Sequence, residues 1–498
     1  MLDVAREQSP SLDDLYEIAS LALDSGYTGL GLYLEHRFAF ACAPWAHGRG
    51  AVTPDMIRSL QSEFPSLQII PFINLLGHFE GFIYTEFGKR YRAELFNGLQ
   101  ASANAPGFME LCEKMLDETM SIFTSDLIHI GGDETAQLDV NPLDQAKIEG
   151  FEGDGKAKIY GEHFGPLAHR VVAAGRTPGV WGDIFLEHMD ALEYMPKETV
   201  MFDWKYTSGV KESAAKLTEK GFKVLGCPTL HIYNAAWMHV EASEKNVREV
   251  SADVHELDLE GVCLTTWEFG CFGAVDTVMP AVKACSAIMD DPANAPGLLS
   301  GWEGESQEWA RLLGVELEQL GGVFAFSGRR SSLKSRLLLY SNPFLAWMHH
   351  GDELTGELGD KALAVVEKAI FRAQTEAEKG PALFIRGAIE FIRMAETARR
   401  EYAAGRPERA ISVLAPTRYL FDSLETIAKR TRDRIGGSLA DIERCRAAKQ
   451  HVEVVIKRIR DYGNGELGYI PAWEIITNPR FMPHDQGCWW LINKWANQ

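Results

Sequence analysis

No run of about eighteen apolar residues occurs in this chain, which excludes a membrane-spanning helix of ordinary length. Its start, Met1-Leu2-Asp3-Val4-Ala5-Arg6-Glu7, does not join a basic segment to an apolar core, so no secretory leader is read and a cytoplasmic location is expected. Basic charge is scarce. Fifty Lys and Arg stand against seventy Asp and Glu, a net charge of −20, and phosphate binding needs a basic face, so nucleic acid is not an expected partner. Eight cysteines in 498 residues include no Cys-x-x-Cys spacing and read as buried, reduced thiols, with no zinc site or disulfide framework expected. No Gly-x-Gly-x-x-Gly turn follows an early strand, and no Gly-x-x-x-x-Gly-Lys-Ser/Thr loop is present. Dinucleotide and nucleotide-triphosphate chemistry therefore have no motif here, and no cofactor or metal is expected.

What is present fills a large core: 46% apolar residues, with 12 Trp and 25 Phe, over a length that suits two or three domains. The first 290 residues alternate short apolar runs with longer amphipathic ones. Strands are expected at 2–5, 29–34, 67–74, 127–131, 179–181, 199–204, 222–226 and 261–266, each followed by a helical pattern. Ser11 with Asp14 offers a capping box ahead of Leu12, Leu15, Ile18, Ala19 and Ala22 at helical spacing, and Gly26 closes that helix. Thr53-Pro54 opens the next one. Eight strand–helix units point to an α/β fold, a (β/α)8 TIM barrel over 1–295. Strand signals then stop. Segments 358–379, 381–404, 407–430 and 438–462 have helical periodicity, giving an all-α C-terminal domain over 305–498. Its arginines Arg393, Arg399, Arg400, Arg430, Arg432 and Arg434 read as solvated helix faces. The tail crowds Tyr469, Trp473, Phe481, Trp489, Trp490 and Trp495, rings that must be buried on the barrel or on a partner subunit, which leaves a homodimer open.

Enzymes on this barrel work at the C-terminal ends of the strands. Arg6 follows the first strand, Glu35-His36-Arg37 the second, Asn74 and His78 the third. The fourth delivers His129-Ile130-Gly131-Gly132-Asp133-Glu134. Strands five and six end at Trp181-Gly182-Asp183 and Asp203-Trp204, His231 and Tyr233 lie beyond the seventh, and Trp267-Glu268 end the eighth. This ring of acids, imidazoles and indoles suits a sugar, whose hydroxyls need polar forks and whose faces stack on aromatics. Neighbouring side chains on a strand point to opposite faces, so Asp133 and Glu134 converge only where the strand has ended, and Gly131-Gly132 permits that turn.

His-x-Gly-Gly-Asp-Glu resembles the signature of glycoside hydrolase family 20, the β-N-acetylhexosaminidases, and the resemblance covers about residues 1–290. It implies an exo-acting, retaining enzyme that releases terminal N-acetylglucosamine or N-acetylgalactosamine, with the substrate's own acetamido oxygen as nucleophile. Carried over by motif, Glu134 is the general acid/base, Asp133 orients and stabilises the acetamido group, and Tyr233 bonds its oxygen. Trp181, Trp204 and Trp267 enclose its methyl group. Arg6, Glu35, His78, His129 and Glu268 complete the substrate-binding set, with His78 and His129 tying the acid loop in place. The chain departs from the family at Leu76 and Asn74, at the adjacency of Trp267 and Glu268, and at the second strand, where Glu35 or His36 stands for an aspartate. Those positions bear on contacts to the sugar's O4 and O6. Two other readings stay open: a retaining glycosidase with Glu268 as covalent nucleophile, and a non-hydrolytic sugar-binding protein.

Overall fold

Strand and helix alternate through the first part of the computed structural model, which describes residues 1–5, 10–48, 50–94, 98–232, 235, 237–267, 275–326, 343–344, 351–431 and 439–463. The local signals act as their chemistry requires. Ahead of the helix Leu12–Asp24, the Ser11 Oγ accepts the Asp14 N–H at 3.1 Å and the Asp14 carboxylate accepts the Ser11 N–H at 2.7 Å. Such a cap stabilises a helix by about 1 kcal/mol. The helix buries Leu15, Ile18, Ala19 and Ala22, and Gly26, at φ 85°, ends it. Thr53 caps the helix Pro54–Glu63 through the Met56 N–H at 3.3 Å.

Among the described residues, ten short strands form one sheet. They are β1 (Leu2–Asp3), β2 (Gly29–Tyr33), β3 (Gln68–Phe72), β4 (Leu127–His129), β5 (Thr177–Trp181), β6 (Val200–Trp204), β7 (Lys223–Cys227), β8 (Thr229–Leu230), β9 (Gly261–Val262) and β10 (Thr265–Thr266), in the order β8-β10-β1-β2-β3-β4-β5-β6-β7-β9. β7 and β8 are two pieces of the seventh expected strand, and β9 and β10 two pieces of the eighth. Because β7 pairs with β9 while β10 pairs with both β8 and β1, the ring closes as a barrel. The break between β7 and β8 falls at Pro228, which has no N–H to give a ladder; its carbonyl accepts the Thr265 N–H at 2.9 Å. At the seam the Met1 ammonium donates to the Leu264 carbonyl at 2.7 Å. Inside the ring, Phe72, His129, Trp181 and Phe202 pack as a ring cluster with centroids 4.3–5.8 Å apart.

The chain forms two compact units. One comprises Met1–Thr229, Glu244–Thr266 and Cys285–Pro296; the other comprises Leu230–Ser243, Trp267–Ala284 and Gly297–Gln498. The second is helical, with Glu357–Arg372, Glu376–Ala403, Pro407–Leu414, Thr417–Thr431 and Leu439–Tyr462 as its later helices. Two boundaries differ from the sequence reading. Thr375 caps the 28-residue helix through the Glu378 N–H at 3.1 Å, so Pro381 lies inside it rather than at its start. The segment 407–430 is two helices, because Pro416 has no N–H to donate back to the preceding turn. Arg399 and Arg400 do more than face solvent: both clasp Glu396, whose side chain is fully buried, at 2.8 and 2.6 Å. Arg432, Arg434 and the aromatic tail lie outside the described residues. Among the described residues no helix is long and apolar enough to cross a membrane.

Candidate active site

Of all non-glycine residues described, four have positive φ, and three of them stand just beyond strand ends: Glu35 (41°) after β2, His78 (46°) after β3 and Glu134 (49°) after β4. Such a backbone costs about 1–3 kcal/mol per residue and persists only where the surroundings enforce it. Strain gathered on three neighbouring loops marks a built site.

The β4 turn is shaped by close approach. Gly131 (φ 84°) and Gly132 (φ 110°) lead into Asp133, and a Cβ on Gly132 would stand 2.4 Å from the Tyr160 hydroxyl. That hydroxyl, from the helix Gly155–Ala173, donates to the Gly132 carbonyl at 2.7 Å. Gly77 makes room on the other side, since a Cβ there would meet the Asp133 carbonyl oxygen at 2.4 Å. The Glu134 N–H donates to Asp183 Oδ2 at 2.9 Å. Asp133 is thereby buried, while the Glu134 side chain stays 47% exposed, open to a ligand.

His78 joins the two acids. Its Nε2 lies 3.2 Å from Glu134 Oε2 and 3.4 Å from Asp133 Oδ2, and its Nδ1 lies 3.5 Å from Glu80 Oε1. Burial opposes a charge on this ring. The negative charge of Asp133 and the hydrogen bonds to Glu134 and Glu80 outweigh it, and the imidazole is held well above its ordinary range. His78 is therefore an imidazolium at neutral pH, a cation wedged among carboxylates. Donor atoms of Glu35, His78 and Glu80 come within 4.8 Å of one another, the spacing a cation site requires.

Two residues of the expected substrate-binding set are buried within the barrel, and His129 ties the turn as expected. His129 is fully buried in the barrel, stacked on Phe72 at 4.3 Å, and its Nδ1 accepts the Gly131 N–H at 3.1 Å. Burial pushes it well below the usual histidine range, so it is a neutral clamp on the turn. Trp181 is also fully buried, against His129 and Phe202, where the barrel interior needs its volume. Trp204 remains half-buried, with its ring 5.0 Å from that of Tyr206. Trp267 is half-buried in the second unit. Arg6, Tyr233 and Glu268 lie outside the described residues. Asn74, in the place of a family acid, is buried and donates to the Tyr33 hydroxyl at 3.0 Å. His231 is buried, with its ring 4.5 Å from that of Phe326.

The sequence reading passed over Glu80, Tyr160 and Asp183. Asp183 stood in view at the end of β5. Glu80, two residues past His78, carried the same positional hint. Tyr160, in mid-helix, carried none.

Residues 69–260 match the model of glycosyl hydrolase family 20, catalytic domain. Comparison with curated protein sequences gives no match. Among solved structures, the chain is similar to a family 20 exo β-N-acetylglucosaminidase from Vibrio harveyi, in complex with N-acetylglucosamine, at 17% identity and a TM-score of 0.48, over 63% of this chain and 56% of that one. A β-N-acetylhexosaminidase from Bacteroides fragilis gives 16% identity and 0.46, over 57% and 64%. The chain thus spans less than two thirds of either protein. A chitobiase from Flavobacterium johnsoniae gives 14% identity and 0.49, over 91% and 77%.

Proposed function

Taking residues 69–260, which carry the family 20 catalytic-domain pattern, as the premise, we propose that this chain is an exo-acting β-N-acetylhexosaminidase. It removes terminal β-linked N-acetylglucosamine or N-acetylgalactosamine with retention of configuration. The observation that carries the proposal is the adjacent pair Asp133-Glu134, brought off β4 on a left-handed turn and joined to a buried, charged His78. Adjacent carboxylates do not suit the usual retaining mechanism, which needs acid and nucleophile on opposite sides of the scissile bond. They suit a substrate that supplies its own nucleophile.

In that mechanism the acetamido oxygen attacks the anomeric carbon while Glu134 gives its proton to the departing glycosidic oxygen. The bond to the aglycone breaks and a cyclic oxazolinium forms. Asp133 accepts the acetamido N–H and stabilises the positive charge that develops there. Glu134, now a carboxylate, takes a proton from water as the water attacks the anomeric carbon, and the ring reopens. Asp133 suits its role through burial, which strengthens its field, and Glu134 through exposure, which lets it reach both aglycone and water. His78 fixes the proton-carrying carboxylate from behind. Tyr233, Trp204 and Trp267 are proposed to enclose the acetamido group, and Arg6, Glu35 and Glu268 to hold the sugar hydroxyls. His129 and Trp181 support the turn from beneath.

Paired aryl glycosides test this reading, 2-acetamido against 2-hydroxy and gluco against galacto, with a thiazoline as a mimic of the cyclic intermediate. Hydrolysis restricted to the 2-acetamido sugars, with tight thiazoline inhibition, is expected. Equal cleavage of 2-hydroxy sugars, or a glycosyl ester trapped on Glu268, overturns it. Binding without turnover leaves only the sugar-binding reading.

A further inference from the structure

Asp183 stands at the first position of the short helix Asp183–Glu187 that follows β5 and Gly182. One of its oxygens, Oδ2, accepts the Glu134 N–H at 2.9 Å, across 49 residues of sequence. The other, Oδ1, is shielded from solvent and has no hydrogen-bond partner among the described residues. The titratable groups facing this carboxyl are Asp133 and Glu134 on the β4 turn and Tyr160 on the helix Gly155–Ala173. No cation faces it among these groups. Among the described residues it has no counter-charge, and its charged form is costly to bury. It also holds the one non-glycine backbone N–H in the turn that must stay in the left-handed region if Glu134 is to reach outward.

We propose that Asp183 is a positioning residue for the reaction: it pins the backbone of Glu134 in its left-handed turn, and its charge sets the pH range over which the Asp133-Glu134 pair works. This rests on the hexosaminidase reading above. Burial first, and then the charge of Asp133, push the Asp183 carboxyl up to about 7. It is therefore neutral in mild acid, where hydrogen-bond geometry alone holds the turn. As pH rises through neutrality it gains a charge, adding repulsion against Asp133 and Glu134 and favouring retention of a proton within the cluster.

The test compares wild type with Asp183→Asn and Asp183→Ala. The asparagine keeps an oxygen for the Glu134 N–H but removes the charge; the alanine removes both. Rates on an aryl N-acetyl-β-glucosaminide are followed from pH 4 to 9. Asp183→Asn is expected to move the kcat/KM profile toward acid by about one pH unit, with KM within about twofold. Asp183→Ala is expected to lose kcat by about tenfold or more with little change in KM, the loss of one hydrogen bond to a charged group. Thermal melts run in parallel. Asp183→Asn should gain Tm over wild type at pH 8 and not at pH 5, because only the native carboxyl bears a buried charge at the higher pH. A profile that superimposes on wild type, or an alanine variant with full kcat, overturns the positioning role. If wild type itself hydrolyses no N-acetylhexosaminide, the functional reading fails instead. The melts then stand alone, and the absence of a pH-dependent gain overturns the buried-charge assignment.

Discussion

Glu396 in the helical unit and Asp133 in the barrel are both buried carboxylates beside cations, and they are built in opposite ways. Glu396 sits between two guanidinium groups at 2.8 and 2.6 Å, with more positive than negative charge around it. Burial raises its pKa, but hydrogen bonds to Arg399 and Arg400 overcome this and hold it below the usual carboxylate range. Asp133 shares the His78 imidazolium with Glu134 and Glu80, over contacts of 3.2–3.5 Å. Tight contacts with excess counter-charge lock one protonation state and serve the fold. Longer contacts, with one ring shared among three carboxylates, leave a proton freer to move between them.

The largest effect that would sharpen this contrast is on turnover. Glu134→Ala is expected to lower kcat by about 10²–10⁴-fold on substrates with poor leaving groups, and to recover with an activated aryl leaving group plus azide. Equal loss on every leaving group would remove Glu134 as the acid. Asp133→Asn should cost roughly 3–4 kcal/mol in the transition state, the scale of losing a preorganised charge stabiliser, measured as kcat/KM. An unchanged kcat would break the contrast on the barrel side. Glu396→Gln should leave turnover untouched and lower stability by about 1–3 kcal/mol in denaturant unfolding, since it weakens two charge-assisted bonds.

The pH dependence of stability should carry opposite signs in the two regions. For His78 the native pKa is raised, so its stabilisation is present below about 6.5 and lost as pH climbs through the native value. For Asp183, an acid with a raised native pKa, protons are bound more tightly in the native state, and stability falls as pH rises from about 3.8 toward 7. For Glu396 the native pKa is lowered, so its stabilisation is present above about 4.5 and lost as pH falls through the native value. Melts of wild type against Glu396→Gln should therefore differ at pH 7 and converge in acid. The smallest effect is at Lys361→Ala, which removes an exposed pair with Glu357 and should be indistinguishable from wild type in the same melts.

How much of the site was legible follows from where each residue stands. Glu35, His78, Asp133 and Glu134 lie just past strand ends, and the barrel's directionality was enough to nominate them. His129 and Trp181 lie within strands of a barrel buried on both faces, where alternation does not tell an inward ring from a ligand-facing one. Glu80 was missed, and Asp183, though named at the end of the fifth strand, was given no role, because an acid at the start of a short helix is unremarkable until its neighbours are known. Pro416 divided a helix whose apolar pattern runs on past it, and Pro381 sits inside one because the cap lies six residues earlier at Thr375.

The sequence by itself determined the alternation of strands and helices, the caps that begin the early helices, and a glycine pair that throws two acids off the fourth strand. These are matters of local geometry and periodicity, settled within a few residues. Tertiary structure alone decided which acids are buried, which histidine is charged and which is neutral, and that Glu134 answers to partners 56 and 49 residues away. Charge interactions depend on distance and on exclusion of water, and packing of the closed barrel fixes both.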